Sequence, residues 1–453
     1  METDRLEIAK KYSQQKQKFL ELALGVPREA TKTLLTKLEQ NNVTIITGLR
    51  RVGKTTIMRQ LVQQLLENGV KNSNIHFFSF DDISTRNVDF LDGLLSYLLE
   101  SQPQGEVYIF LDEIQYIENW QGTVKKYFDF YQGIKIVISG SSSVFIKNKM
   151  ADSLAGRTYE IYIAPLNFKE YLAIFEGINE DFYNLGDFLS NPTAQGFKDI
   201  EQRYAERSSI YTQHFINYLS YGQFPECSKY ESQQDRYRYI NSSIYTKLVE
   251  TDLPEIYDID NVFEFKRLFE VLISETSSYF ELTKFAPEIG LSKNTVKKYL
   301  GVLAQGFLVG DVKSFNKSLR KATRSKQKYY VGSPNFYTAF AGLQGDSMMG
   351  GLYGKVFETH VFWLMRKLYN YLFFYYKDKA EVDFLGTNNP LFKNLTVVEA
   401  KFVNRVDSAD LRVIKLLMAK KDIKNAFVLS LDCRTFDLDG GRRVWVLPVP
   451  VFG

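Results

Sequence analysis

Apolar positions change their period along the chain, and the changes divide it into segments. From Val43 to about Pro165, short unbroken apolar runs (VTIIT at 43–47, HFFSF at 76–80, VYIFL at 107–111, IKIVIS at 134–139) alternate with stretches of helical spacing. One such stretch puts Ile57, Met58, Leu61, Val62, Leu65 and Leu66 on a single helix face. Runs rich in β-branched residues suit strands covered on both faces, so residues 1–165 predict a parallel α/β sheet.

The pattern then turns helical and rich in Tyr and Phe over 166–260, with breaks at Asn191-Pro192 and Phe224-Pro225, which reads as a helical lid and linker. Residues 261–345 hold two short helical patterns. Leu282, Phe285 and Ala286 belong to the first, and Val296, Leu300 and Leu303 to the second. Gly290-Leu291-Ser292 joins them as in helix-turn-helix modules. Residues 346–453 place a helix before the strand-like AEVDFLG, LTVVEAKF and AFVLSL. The pattern therefore predicts an α/β chain in four parts: a parallel sheet with helices, a helical lid and linker, a helix-turn-helix segment and a C-terminal α/β domain.

Composition narrows this picture. At 453 residues and 45% hydrophobic, the chain exceeds one ordinary core and is apolar enough to fill several. Its 57 basic and 53 acidic residues leave only +4, so a polyanion partner must be argued from local clusters. Cys227 and Cys433 lie far apart without metal-ligand spacing, which excludes a disulfide framework and favours a reducing compartment. Residues 1–20 are charged throughout, and no run approaches the ~20 apolar residues of a membrane span. Neither export nor insertion is expected, and the cytoplasm is the default. His76, His214 and His360 have no metal-ligand spacing and read as structural.

Chemistry enters at Gly48-x4-Gly53-Lys54-Thr55, between a strand-like run and an amphipathic helix. Backbone N–H groups and a helix N-terminus in that context cradle phosphates. The glycines allow backbone angles barred to other residues. Lys54 would reach the β- and γ-phosphates, the Thr55 hydroxyl would ligate Mg²⁺, and Thr56 adds a second hydroxyl. Asp112 and Glu113 end an apolar run, so their carboxylates would emerge at the carboxyl edge of a parallel sheet. Asp112 suits the metal's surroundings and Glu113 the attacking water. ATP and Mg²⁺ are the cofactors expected.

The run GLRRVGKTT, followed by FLDEIQ, SGSSS, SLAGR, APLNFKEYL and YLSYGQFPE, resembles a large prokaryotic group of AAA-type ATPases. In that group the C-terminal half is similar to restriction-endonuclease folds. The resemblance covers about residues 28–453 and implies an oligomeric ATPase core, a winged-helix middle and a nuclease-like end. IKIVIS ends where AAA-type ATPases carry a polar residue that senses the γ-phosphate, a place Ser139 or Ser141 would fill. Arg157, following Gly156, would serve as a finger on a neighbouring subunit's nucleotide. Arg50 and Arg51 lie inside the loop; Arg51 is counted with the nucleotide-binding set.

Two further constellations remain. The second helix of the helix-turn-helix exposes Lys293, Asn294, Thr295, Lys297 and Lys298 opposite its apolar face, groups suited to phosphates and base edges. KSFNKSLRKATRSKQK at 313–328 follows with seven Lys/Arg and no acid, a candidate wing gripping a nucleic-acid backbone. Toward the C-terminus, Glu358 on a helix, Asp383 in AEVDFLG, and Glu399 with Lys401 in TVVEAKF follow the order of PD-(D/E)xK nucleases. That resemblance implies Glu358, Asp383 and Glu399 as metal ligands and Lys401 beside the attacking water. Val382 stands where those nucleases carry Pro.

The reading is an ATP-hydrolysing, homo-oligomeric AAA-type machine that couples nucleotide state to nucleic acid, DNA ahead of RNA, and has no membrane partner. An ATP-gated Mg²⁺-dependent nuclease and a nucleotide-regulated scaffold are the alternatives.

Overall fold

The computed structural model describes residues 2–100, 105–140, 154, 156–316, 326–343, 352–369, 373–377, 381–389 and 391–453, the side chains of 2–4, 283, 284 and 352 excepted. Ser141 and most of the basic run, 317–325, lie outside the described residues. The chain forms two compact units: Met1–Pro165 with Thr251–Asp260 and Gln305–Phe307, and Leu166–Glu250 with Asn261–Ala304 and Leu308–Gly453.

In the first unit the apolar runs become strands: β1 (Val43–Thr47), β2 (Ile75–Ser79), β3 (Val107–Asp112), β4 (Ile134–Gly140) and β5 (Thr158–Tyr162). All pair in parallel in the order β2-β3-β4-β1-β5. β1, β3 and β4 are buried along their whole length, as strands covered on both faces must be. Helices α1 (Glu2–Leu20), α2 (Glu29–Leu38), α3 (Lys54–Glu67), α4 (Val88–Leu99) and α5 (Trp120–Phe130) belong to this unit, as does the short helix Leu253–Tyr257. α1 packs on β2 and α4, with Phe19 stacked on Phe77 at 3.6 Å.

In this order β4 separates β1, which carries the loop, from β3, which carries the acids. Ile46 of β1 sits opposite Ser139 of β4, and Leu111 of β3 sits opposite Ile138. Ser139 is therefore placed by register between the two chemistries.

The second unit opens with helices, the longest Ala194–Tyr221, and then builds one sheet. The helix Val262–Ser274 leads to β6 (Tyr279–Phe280), the helices Leu282–Glu288 and Lys293–Gln305, β7 (Val309–Ser314) and β8 (Gln327–Val331). The helix Leu352–Tyr369 precedes β9 (Phe373–Lys377), β10 (Glu381–Gly386) and β11 (Thr396–Ala400). The helix Arg412–Lys421 precedes β12 (Asn425–Ser430), β13 (Arg434–Leu438) and β14 (Arg442–Pro448).

The nine strands run β13-β14-β12-β11-β10-β9-β7-β8-β6. β7 pairs in parallel with β9, so the helix-turn-helix strands and the C-terminal strands share one hydrogen-bonded sheet. Between Val382 and Leu385 the β9–β10 register shifts, an irregularity that takes in Asp383 and Phe384. Val382, Val397, Val406, Ile414, Met418 and Val428 are among the buried residues that close the C-terminal core.

Candidate functional site

The loop between β1 and α3 depends on two glycines. Gly48 has φ +151°, and a Cβ there would come within 2.4 Å of the Ile163 carbonyl oxygen, so no side chain fits. Gly53 adopts the left-handed conformation at the N-cap of α3, which leaves the first-turn N–H groups directed toward the loop. Lys54 is buried, and its Nζ donates to the carbonyls of Gly48 at 3.0 Å and Leu49 at 3.1 Å. Arg51 takes a left-handed φ of 66°, and Thr56 follows in the first turn of α3.

Below the loop, the start of α3 and the ends of β3 and β4 converge. The Thr55 hydroxyl donates to Asp112 Oδ2 at 2.8 Å, and the Ser139 hydroxyl donates to Asp112 Oδ1. Ser139 Oγ also accepts from the Glu113 amide at 3.3 Å. Burial, and next the Glu113 carboxylate, pushes the Asp112 carboxyl up to about 7. A buried carboxylate met mainly by hydroxyls, beside a threonine oxygen, is a donor set that fits a hard divalent cation. Glu113 adopts left-handed φ 56°, a costly angle for a non-glycine residue, and its side chain accepts from Gln115 Nε2. The structure thus brings Lys54, Thr55, Asp112, Glu113 and Ser139 together around one loop.

Around these groups the loop's Arg50 meets residues that no motif marks. Arg50 Nη1 pairs with Asp252 Oδ2 at 3.1 Å, across a wide gap in sequence. Burial raises the Asp252 carboxyl while Arg50 opposes the shift. The Arg86 guanidinium lies 3.6 Å from the Tyr116 ring centroid and 3.3 Å from Glu255. Arg28 is buried and donates to the carbonyls of Val52 at 2.8 Å and Ala164 at 3.1 Å, bracing the loop from behind. Only the three-dimensional return of Thr251–Asp260 to this unit reveals Asp252 and Glu255.

Arg157 stands at the opposite edge of the sheet. It precedes β5 at the level of Val43, where β1 begins, whereas the loop follows Thr47, where β1 ends. It pairs with Asp129 at 2.9 Å, both side chains being largely exposed. That placement separates it from this chain's own loop by the length of β1.

The C-terminal residues also meet. Asp383 Oδ2 accepts from the Ala400 amide at 2.9 Å, Glu399 Oε2 accepts from the Asp383 amide at 3.2 Å, and Lys401 lies 3.4 Å from Glu399 Oε1. Glu358 instead faces Tyr330, whose hydroxyl donates at 2.8 Å, and Lys328 at 3.2 Å. Burial, then Glu399 and Glu358, holds the Asp383 carboxyl well above the usual range. Burial alone would lower the Lys328 ammonium, but Glu358, Asp383 and Glu381 hold it above its ordinary value.

Lys328 corrects the picture of the basic run. It is buried in β8, and Lys326 pairs with Glu281, so these two of the seven cations face acids of this chain. In the helix Lys293–Gln305 Lys293, Asn294, Lys297 and Lys298 are exposed and Val296, Leu300 and Leu303 buried as expected, but Thr295 is only half-exposed, its amide and hydroxyl engaged with the Ser292 hydroxyl. Among the described residues no helix is long and apolar enough to cross a membrane.

Comparison with known proteins agrees with the first unit and leaves the second without a function. Uncharacterised proteins are similar over most of the chain. One from Methanocaldococcus jannaschii is 27% identical over 79% of this chain and 75% of its own length. Another from Haemophilus influenzae is 24% identical over 76% and 79%. Among solved structures, the Aeropyrum pernix ORC1 protein in complex with DNA is 12% identical with a TM-score of 0.29, covering 72% of this chain and 95% of that one. The Saccharomyces cerevisiae Hsp104:casein complex is 14% identical with a TM-score of 0.30, covering 61% and 49%. Likeness at that level carries no argument. Residues 212–347 match a family described as a domain of unknown function. Residues 40–172 match the family described as AAA domain, and this span holds the loop, Asp112, Glu113 and Ser139 on one parallel sheet, in agreement with an AAA-type P-loop domain.

Proposed function

We propose that this chain is an ATP-hydrolysing AAA-type ATPase that works as a homo-oligomer and couples nucleotide state to nucleic-acid binding. One observation carries the ATPase half: Thr55 and Ser139 both donate to the buried Asp112 beneath a loop whose Gly48 admits no side chain. In this reading Lys54 leaves its carbonyl partners to bind the terminal phosphates, and Thr55 and Asp112 would hold a Mg²⁺ ion, which would supply positive charge against the phosphates. Glu113 accepts a proton from the attacking water, and the products are ADP and inorganic phosphate. Ser139 links Asp112 to the Glu113 amide, so β3 and β4 respond together to the γ-phosphate.

Arg157, at the far edge of the sheet, acts on a neighbouring subunit's nucleotide. Arg50 supplies the coupling: it ties the loop to Asp252, and the chain leaving Thr251–Asp260 continues directly into the helix Val262–Ser274 of the helix-turn-helix region. The latter has the element order of a winged helix, and the exposed Lys293, Lys297 and Lys298 offer cations to a phosphate backbone.

ATP turnover by the full chain tests the first half, and unchanged rates in Lys54→Ala and Glu113→Gln would overturn it. Sizing with a non-hydrolysable ATP analogue tests the oligomer. Arg157→Ala should keep its assembly yet lose about tenfold or more in turnover. Gel shifts on DNA and RNA across a salt series test the second half. Binding should fall steeply with salt and weaken in Lys293→Glu/Lys297→Glu, and no binding at low salt would end the nucleic-acid reading.

A further inference from the structure

The C-terminal carboxylates have the residue types of a metal-dependent nuclease, yet each of them already gives at least one oxygen to a partner within the chain, and one partner comes from another part of the sheet. Lys328 lies on β8, whose alternation turns Gln327 and Tyr329 to one face and Lys328 and Tyr330 to the other, the buried one. Its Nζ sits 3.2 Å from Glu358 Oε1 and also pairs with Glu381 Oε1. The Tyr330 hydroxyl donates to the same Glu358 oxygen at 2.8 Å, and the Tyr279 hydroxyl donates to Glu381 Oε2. Glu399 gives one oxygen to Lys401 and the other to the Asp383 amide, while Asp383 gives Oδ2 to the Ala400 amide.

A divalent ion of the Mg²⁺ type needs several carboxylate oxygens converging on one point with room for water. Among the described residues no group of three or more His, Cys, Asp or Glu is arranged to hold a metal. An ion entering between Glu358 and Asp383 would take Glu358 from Lys328 and set a second cation beside a buried ammonium that kept only Glu381. The residues therefore do not fit the metal that a PD-(D/E)xK site implies.

We infer that Lys328 is the resident cation of this cluster, standing where a divalent ion would stand in a nuclease. The carboxylates serve to bind the β8 strand to the helix Leu352–Tyr369 and to β10. The C-terminal α/β region is thus an internally neutralised scaffold that takes no metal at these residues. This goes beyond the ATPase reading and stands or falls separately from it.

Titration of the full chain with Mn²⁺, without nucleotide and followed by electron paramagnetic resonance, tests the inference. Wild type and Asp383→Asn should give the same isotherm. Lys328→Met should gain a site about tenfold or more tighter than any in wild type, and Lys328→Met/Asp383→Asn should lose it again. A wild-type Mn²⁺ site that disappears in Asp383→Asn would overturn the inference, as would a folded Lys328→Met chain with no added site. If Lys328→Met fails to fold, the wild-type and Asp383→Asn pair decides alone.

Discussion

Asp112 in the first unit is buried and Asp383 in the second half-buried; both lie on strands, and both carboxyls are raised by desolvation and by a neighbouring glutamate. Their surroundings differ in where the lysine goes. Near Asp112, Lys54 donates to two backbone carbonyls and the carboxylate takes its hydrogen bonds from hydroxyls. Around Asp383, Lys328 and Lys401 pair directly with the glutamates. A centre whose cation rests on neutral carbonyls can redirect it to an incoming phosphate at small cost. A centre whose cations neutralise its own acids has little charge left to offer a ligand. The same residue types therefore make a site in one place and a brace in the other.

Turnover should show the largest contrast. Lys54→Ala and Glu113→Gln should each lower ATP hydrolysis by about a hundredfold or more, whereas Asp383→Asn should leave it within about twofold. Equal losses would break the comparison. Stability should invert it. Lys328→Ala strands Glu358 and Glu381 in a largely buried setting and should cost the second unit about 3 kcal/mol in denaturant unfolding. Thr55→Ala, measured without nucleotide, removes one hydroxyl bond and should cost about 1 kcal/mol.

Protons sharpen the contrast within each unit. Burial holds the His76 imidazole down to about 4 and the His360 imidazole to about 3. Both folded values lie below the unfolded one, so the stability from keeping each ring neutral is full above about pH 6.5 and falls as pH drops. Between about pH 6.5 and pH 5 each ring should cost about 2 kcal/mol, and His360→Phe should flatten that slope in melts of the second unit. A slope that persists in the variant would assign it to other groups. The smallest effect belongs to the exposed Arg157–Asp129 pair, where Asp129→Asn should change stability by less than about 0.5 kcal/mol.

Much of the first unit could be read from sequence because its signals are local. Unbroken apolar runs specify buried strands, and Gly48, Gly53, Lys54 and Thr55 carry their chemistry within one turn of chain. Asp112 and Ser139 follow once strand ends are recognised, although only the β1-β4-β3 order explains why Ser139 lies between loop and acids. Asp252 was illegible because its partner Arg50 is reached only through the folded return of Thr251–Asp260. Lys328 was read as one more cation in a basic stretch. What sets it apart is the pleat of β8, which a run of charges conceals. The acids Asp383 and Glu399 were legible as a pair, but their partners were not, since those depend on a strand pairing distant in sequence.

The parallel seam between β7 and β9 also bears on how this protein can be dissected in the laboratory. A fragment ending near residue 345 would present β7 as a bare edge, and one beginning near 346 would present β9. Both should favour pairing with other chains over remaining single. Trimming at that seam is therefore expected to yield precipitate where intact chain yields monodisperse protein. Domain-swapped chimaeras among relatives should be joined outside 279–453, so that the sheet is inherited whole.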